Sequence, residues 1–236
     1  MCGRYTLISD LRELAATFGA TVDPHFKIKA RYNIAPSQTV AVVVATESDL
    51  MIRGMHWGLV PFWAKEKSIG NKMINARSET VSDKPSFKQA FLKRRCVVLA
   101  DGFYEWRKEG SVKTPLWIHL KHHEPIFFAG LWESWHPPDD KNTELLSTTI
   151  LTTAANEFMK SIHDRMPVIL SREDALAWLD PHLKDPAKLG ALLKPLSNDL
   201  LVAFPVSKLV NSPTNDRPEC IEPAPSPTTR RKVNEF

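Results

Sequence analysis

Cys2 stands directly behind the initiator Met1 and is followed by Gly3 and Arg4. Small residues at positions 2 and 3 suit removal of Met1, which would leave Cys2 with a free α-amine and a thiol on adjacent carbons. An unperturbed α-amine has a pKa of about 7.7–8.0 and a cysteine thiol about 8.5, so both nucleophiles are partly available near neutrality. The amine can serve as base for its own side chain, as in N-terminal nucleophile hydrolases. With an aldehyde, the amine forms an imine and the thiol closes it to a thiazolidine. The residue type alone leaves acyl transfer and covalent aldehyde capture both open, beside the plain reading that position 2 is Cys by chance. Either chemistry asks for an exposed aminothiol next to proton-transfer groups.

Four polar residues interrupt apolar or aromatic stretches and are candidates for that role. Asn75 and Arg77 share one extended segment, where a period of two sets them on one side. Glu105 lies among Phe103, Tyr104 and Trp106, and burial there favours general acid–base work. His163 opens the cluster His163-Asp164-Arg165 and has the unperturbed pKa of a proton shuttle. Each has a structural alternative: a loop amide, a surface pair with Glu79, a bridge to a core Arg, a capped loop histidine. Arg4 and Arg77 together suit an anion such as phosphate, while Pro36 and Trp63 fall in loops where an apolar side chain can wedge between bases. Trp57 and Trp117 lie in strands and read as packing. His119, His122 and His123 near Glu124 read as a solvated turn, not a metal site.

These groups need a scaffold, and the pattern supplies short elements. A helix is expected over 10–18, with Asp10 and Glu13 resembling a capping box and Gly19 ending it. Strands are expected at 40–46, 51–57, 94–100 (behind a basic edge), 103–106, 114–120, 126–131, 146–153, 167–170 and 201–206. Cys96 reads as core. Short helices are expected at 86–92, 157–160, 187–193 and from the Ser171 cap to Leu179. Residues 31–36 read as a loop. Many short strands with few helices imply an α+β fold, one strand-rich domain over 1–222. The Pro, Ser, Thr and Arg composition after Pro223 implies a disordered basic tail over 223–236.

Composition narrows the class. A charge of +4 over 236 residues permits a nucleic-acid partner without demanding one. No apolar run reaches membrane-span length, and no apolar region follows Met1, so a soluble cytoplasmic protein is expected. Three cysteines at positions 2, 96 and 220 form neither a disulfide framework nor the paired spacing of a zinc site. No glycine-rich strand-to-helix signature marks a nucleotide fold. No metal or organic cofactor is expected, and no coiled coil argues against a monomer.

Taken together, Met1-Cys2-Gly3-Arg4-Tyr5, Arg31-Tyr32-Asn33-Ile34-Ala35-Pro36, Trp57-Gly58-Leu59-Val60-Pro61, Met73 through Thr80, Asp101 through Trp106, Thr152-Thr153-Ala154, His163 through Pro167 and Val210-Asn211-Ser212 closely resemble the SRAP family, the SOS-response-associated peptidase-like proteins. The resemblance runs from Met1 to about Glu222. It implies a barrel-like β core with short flanking helices, binding of single-stranded DNA and its junctions with duplex, and covalent capture of abasic sites. By the same resemblance, Cys2 is the DNA-linked residue, Asn75 positions the terminus or ring, and Glu105 moves protons. His163 assists sugar opening and reversal, Arg4 and Arg77 hold flanking phosphates, Thr152 lines the pocket, and Pro36 and Trp63 support bent DNA. Lyase chemistry at the Schiff-base stage and self-removal of Met1 also follow from it. A bacterial, nucleoid-associated location is the matching expectation. An N-terminal-nucleophile amidohydrolase, a protease and a non-covalent reader of modified bases are the alternatives.

Overall fold

A computed structural model describes residues 2–225; Met1 and residues 226–236, including most of the expected tail, lie outside the described residues. In chain order the elements are β1 (Tyr5–Leu7), α1 (Leu11–Phe18), β2 (Thr21–Val22), β3 (Arg31–Ile34), β4 (Thr39–Ala45), β5 (Leu50–Trp57), β6 (Asn75–Arg77), α2 (Pro85–Lys93), β7 (Arg95–Ala100), β8 (Gly102–Glu109), β9 (Val112–Leu120), β10 (Ile126–Trp135), β11 (Leu145–Ala154), α3 (Glu157–Lys160), β12 (Arg165–Pro167), β13 (Ile169–Leu170), α4 (Arg172–Leu179), α5 (Pro186–Ala191) and β14 (Leu201–Pro205).

Five of these strands close a ring. β4 pairs antiparallel with β5 and β7, β7 with β10, and β10 with β11. β11 completes the barrel by pairing in parallel with β5 through Ser147↔His56 and Thr148↔Trp57. Closure removes the edges that a flat sheet would expose. The run Val40–Val44 is buried without alternation because both faces of its strand are covered. The fold is thus α+β, as the strand-rich pattern implied, with the barrel core that the family resemblance implied.

A second sheet, ordered β14-β9-β8-β1-β3, leans against the barrel. Tyr5 of β1 joins them: its ring lies 5.2 Å from Trp57 of β5 and 6.0 Å from Phe128 of β10, both edge-on. Helices cover the outside. Phe18 of α1 packs on Phe127 at 4.8 Å. The buried Trp178 of α4 donates its indole N–H to the carbonyls of Cys96 and Gly130. Caps follow local chemistry, with Gly19 left-handed at φ 61 and Ser171 Oγ accepting from Asp174 N at 3.0 Å. Asp10 caps through Arg12 N at 2.7 Å.

Three local readings are corrected. Residues 31–34 form a strand, not a loop. Their side chains carry no period-two pattern, and β3 exists because β1 pairs with it and Asp216 accepts the N–H groups of Tyr32 and Asn33. Arg95 is not an edge charge but 5% exposed. Its guanidinium donates to the carbonyls of Phe91, Leu92, Trp178, Asp180 and Leu183, gathering carbonyls that helices leave unpaired at their C-termini. His119 is not solvated but buried on β9, stacked between Trp117 at 4.4 Å and His123 at 4.3 Å. At the other end of the chain, Ala224 N still donates to Pro205 O at 2.8 Å.

Candidate active site

The seam between the barrel and the second sheet holds the candidate residues. β6 adds to β11 in parallel just past the point where β5 leaves it, with Asn75 opposite Ile150 and Arg77 opposite Thr152. β1 enters from the other side, paired with β8 through Tyr5↔Phe103. This brings the residues before β1 onto the face of β6. Asn75 Nδ2 donates to the carbonyl of Cys2 at 2.8 Å. Asn75 Oδ1 is buried and has no hydrogen-bond partner among the described residues.

Cys2 is fully buried, so the expectation of an exposed aminothiol is corrected. It is nonetheless beside two of its expected partners. Burial first, and the Glu105 carboxylate second, push its thiol well above the ordinary range, while the backbone N–H of Arg4 works in the other direction. Glu105 itself is 5% exposed on β8, opposite Leu116. Between Phe103 and Tyr104, both fully buried, and Leu116, little water competes for its carboxylate.

His163 sits farther along the same strand system. Its position is two residues ahead of Arg165, which pairs with Ala154, four residues beyond the partner of Asn75 on β11. Its Nδ1 accepts the backbone N–H of Arg165 at 3.0 Å and lies 2.7 Å from Asp164 Oδ1. The first contact needs a bare Nδ1 and the second an Nδ1–H, so the two are alternatives. Thr152 is buried between these groups. Its Oγ1 donates to Ala76 O at 3.4 Å, and its carbonyl accepts from Arg165 Nη2 at 2.6 Å. Arg165 also grips Glu79 in a bidentate pair at 2.6 and 2.9 Å, and this contact holds the Glu79 carboxyl below its usual range. The motif reading missed Arg165; its adjacency to His163 was the available signal.

The two expected phosphate ligands differ. Arg77 is exposed. Arg4 is half-buried and tied inward: Nη1 donates to Asn33 Oδ1 at 2.8 Å and Val210 O at 2.7 Å, and the guanidinium lies 5.8 Å over the Trp106 ring. Asn33, fully buried, also donates to the carbonyls of Ser212 and Asn215, fastening the 208–216 segment behind Arg4.

The loop between β5 and β6 leaves and re-enters at this seam. Gly58 and Gly70 cross so closely that a Cβ on Gly58 would lie 2.7 Å from Gly70 O, and Gly58 has φ 129, which only glycine adopts freely. Leu59 N donates to Met73 O and Trp135 Nε1 to Ala64 O, so the loop is pinned. At its tip Trp63 is 49% and Phe62 54% exposed. Trp63 borders a cavity of about 460 Å³ lined also by Lys65, Ile69 and Lys72. Phe62 was not singled out from sequence, since an apolar residue before Trp63 reads as core. Pro36 is half-buried in a turn whose Ser37 N donates to Trp57 O at 2.8 Å, which places it at the root of the same loop. Trp57 and Trp117 are buried, as their strand positions implied.

With this geometry in view, the relatives fall into one group. Residues 1–213 match the profile described as SOS response associated peptidase (SRAP). The Bacillus subtilis (strain 168) abasic site processing protein YoqW is 44% identical over 226 residues, covering 94% of this chain and 99% of that protein. The Gallus gallus abasic site processing protein HMCES is 36% identical over 230 residues, covering 84% of this chain and 67% of that protein. An X-ray crystal structure of a Bacteroides thetaiotaomicron protein superposes with a TM-score of 0.85 at 28% identity, covering 94% of this chain and all of that one.

Proposed function

This chain belongs to the SOS response associated peptidase (SRAP) family, and on that premise we propose that it processes abasic sites in single-stranded DNA by capturing their open-chain aldehyde on Cys2. The observation that carries the reading is the meeting at Cys2 of the Asn75 amide and the Glu105 carboxylate. These groups come from both sheets. The relatives named for abasic-site processing supply the substrate class.

The ordinary reaction of an aldehyde with a terminal aminothiol sets the sequence of bonds. Loss of Met1 frees the α-amine. The thiol is buried and held protonated, so the amine is the first nucleophile: it attacks the aldehyde carbon, and water leaves to give an imine. The thiol then adds to the imine carbon. A C–S bond forms as the C=N π bond opens, the Glu105 carboxylate takes the thiol proton and delivers a proton to the former imine nitrogen, and that nitrogen ends as a secondary amine. The net change is aldehyde plus aminothiol to thiazolidine plus water. Asn75 holds the Cys2 carbonyl, and its buried Oδ1 is placed to accept an N–H from the freed amine or the ring. His163, on the far side of Thr152, donates and recovers the proton needed to open the sugar and to reverse the link. The imine also permits elimination of the 3′ phosphate, and ring closure diverts it. The thiol and Glu105 equally suit cleavage of the Met1–Cys2 peptide, by acyl transfer to sulfur and hydrolysis.

DNA is held by its backbone at Arg77 and Arg4, and by stacking on Trp63 and Phe62, with Pro36 at the root of that loop. Such contacts bind without reading sequence.

The test is a denaturing gel and intact-mass measurement after incubation with single-stranded DNA bearing one abasic site. The expected product is protein lacking Met1 joined to DNA with loss of one water. Cys2→Ala and Cys2→Ser, which both keep the amine and lose the thiol, should give no stable adduct, only one trapped by borohydride reduction. No adduct in the wild-type protein sinks the reading and favours a non-covalent reader or a protease.

A further inference from the structure

At the end of β1 away from Cys2, about 16 Å along the strand, lies a cavity of about 600 Å³ that the chemistry above does not use. One wall is the segment 26–30, Phe26-Lys27-Ile28-Lys29-Ala30. Phe26 and Ile28 are half-buried while Lys27 and Lys29 are exposed, the alternation of an extended strand. Yet residues 27–29 make no backbone–backbone hydrogen bond among the described residues. The segment is held in place by other means. Asp23 N donates to Ile52 O at 2.9 Å, and the Phe26 ring covers Gly54 so closely that a Cβ there would lie 2.6 Å from it.

We propose that this segment is an open β-edge that binds an extended acidic peptide of a partner protein. Main-chain N–H and C=O groups that pair with no other main chain, on an extended segment held in place, are a template for strand addition. The floor offered to alternate side chains of the incoming strand is apolar, formed by Leu11, Val22 and Phe26, and the rim is cationic, formed by Arg12, Lys27 and Lys29. Asp10 is the one carboxylate among the lining residues, against the three cations Arg12, Lys27 and Lys29. Lys27 and Lys29 stand two residues apart, about 6.6 Å, the repeat at which an added strand presents carboxylates on one side. Lysines on an edge repel a second identical edge, so the same residues that oppose self-pairing select an acidic partner. A nucleic-acid strand would satisfy the lysines but leave the main-chain carbonyls and the apolar floor without partners.

The probes are fluorescein-labelled (Glu-Val)5, its (Lys-Val)5 counterpart and (dT)10, read by anisotropy and by amide NMR shifts. The acidic peptide should bind at least about tenfold more tightly than the basic one, with shifts concentrated at residues 26–30. The double variant Lys27→Glu/Lys29→Glu should weaken it about tenfold, since two attractions become two repulsions. That variant should keep its melting temperature and its rate of abasic-site adduct formation, which separates this surface from the Cys2 site. Equal binding of the two peptides, shifts centred elsewhere, or displacement of the acidic peptide by lower concentrations of (dT)10 would each overturn the proposal; the last would make the groove a nucleic-acid site.

Discussion

Asn75 donates its side-chain N–H to the carbonyl of Cys2 at 2.8 Å, across 73 residues of sequence. That one bond fixes the backbone of Cys2 against β6, the short strand that also carries Arg77. Asn75→Ala leaves a buried carbonyl without its donor, a loss of about 1–3 kcal/mol. Adduct formation should slow by roughly 10- to 100-fold by the same energy. Asn75→Asp should be worse, because a carboxylate faces the carbonyl in place of a donor. Single-turnover rates at saturating DNA check this; unchanged rates would remove the positioning role.

Glu105→Gln keeps the shape and removes the base. Losing general base catalysis typically costs about 10²–10⁴ in rate, with affinity for intact single-stranded DNA retained. The pH profile carries the sign. Glu105 raises the Cys2 thiol, so the Gln variant has a lower thiol pKa but no acceptor for its proton. Its residual rate should therefore climb with pH across 6–9 more steeply than the wild-type rate. Parallel profiles would place Glu105 outside the proton path.

Buried thiols also set a stability trend. Burial pushes the Cys96 thiol up to about 12, against an unfolded value near 8.5. A folded value above the unfolded one means stability is whole below pH 8.5 and is lost as pH rises toward the folded value. Between pH 7 and 10 the Cys96 contribution is a loss of about 2 kcal/mol. Cys96→Ala should cost stability at pH 7 through its cavity, yet show a shallower decline toward pH 10 in urea titrations.

Arg95→Met deletes the donor that serves five carbonyls at two helix ends. Leaving several buried acceptors unpaired should destabilise by about 3 kcal/mol or more, seen as a lower urea midpoint. A shift under about 0.5 kcal/mol would mean that water replaces the guanidinium.

Trp63→Ala and Arg77→Ala touch only exposed groups and should leave melting unchanged. The first should weaken single-strand binding by about 1–3 kcal/mol through lost stacking. The second should lower the slope of log affinity against log salt by about 1. Fluorescence titrations across a salt series distinguish the two losses.

What the chain by itself determined is whatever depends on near neighbours. The β-branched run 40–44, the apolar strands at 95–100 and 126–131, the Ser171 cap and the Gly19 stop were legible because periodicity and capping act over a few residues. The candidate nucleophile was legible because an amine and a thiol on one residue are a property of Cys2 alone. Tertiary structure decided the rest. β3 has no pattern of its own and is a strand only because β1 and Asp216 supply its partners. Arg95 reads as a surface charge until helix ends 83 to 88 residues away deliver carbonyls to it. The burial of Cys2 depends on β5 closing onto β11 and on β6 continuing that edge. These pairings join segments about 75 to 90 residues apart. Their energy comes from surfaces that exist only after the ring has closed, and no local preference encodes them.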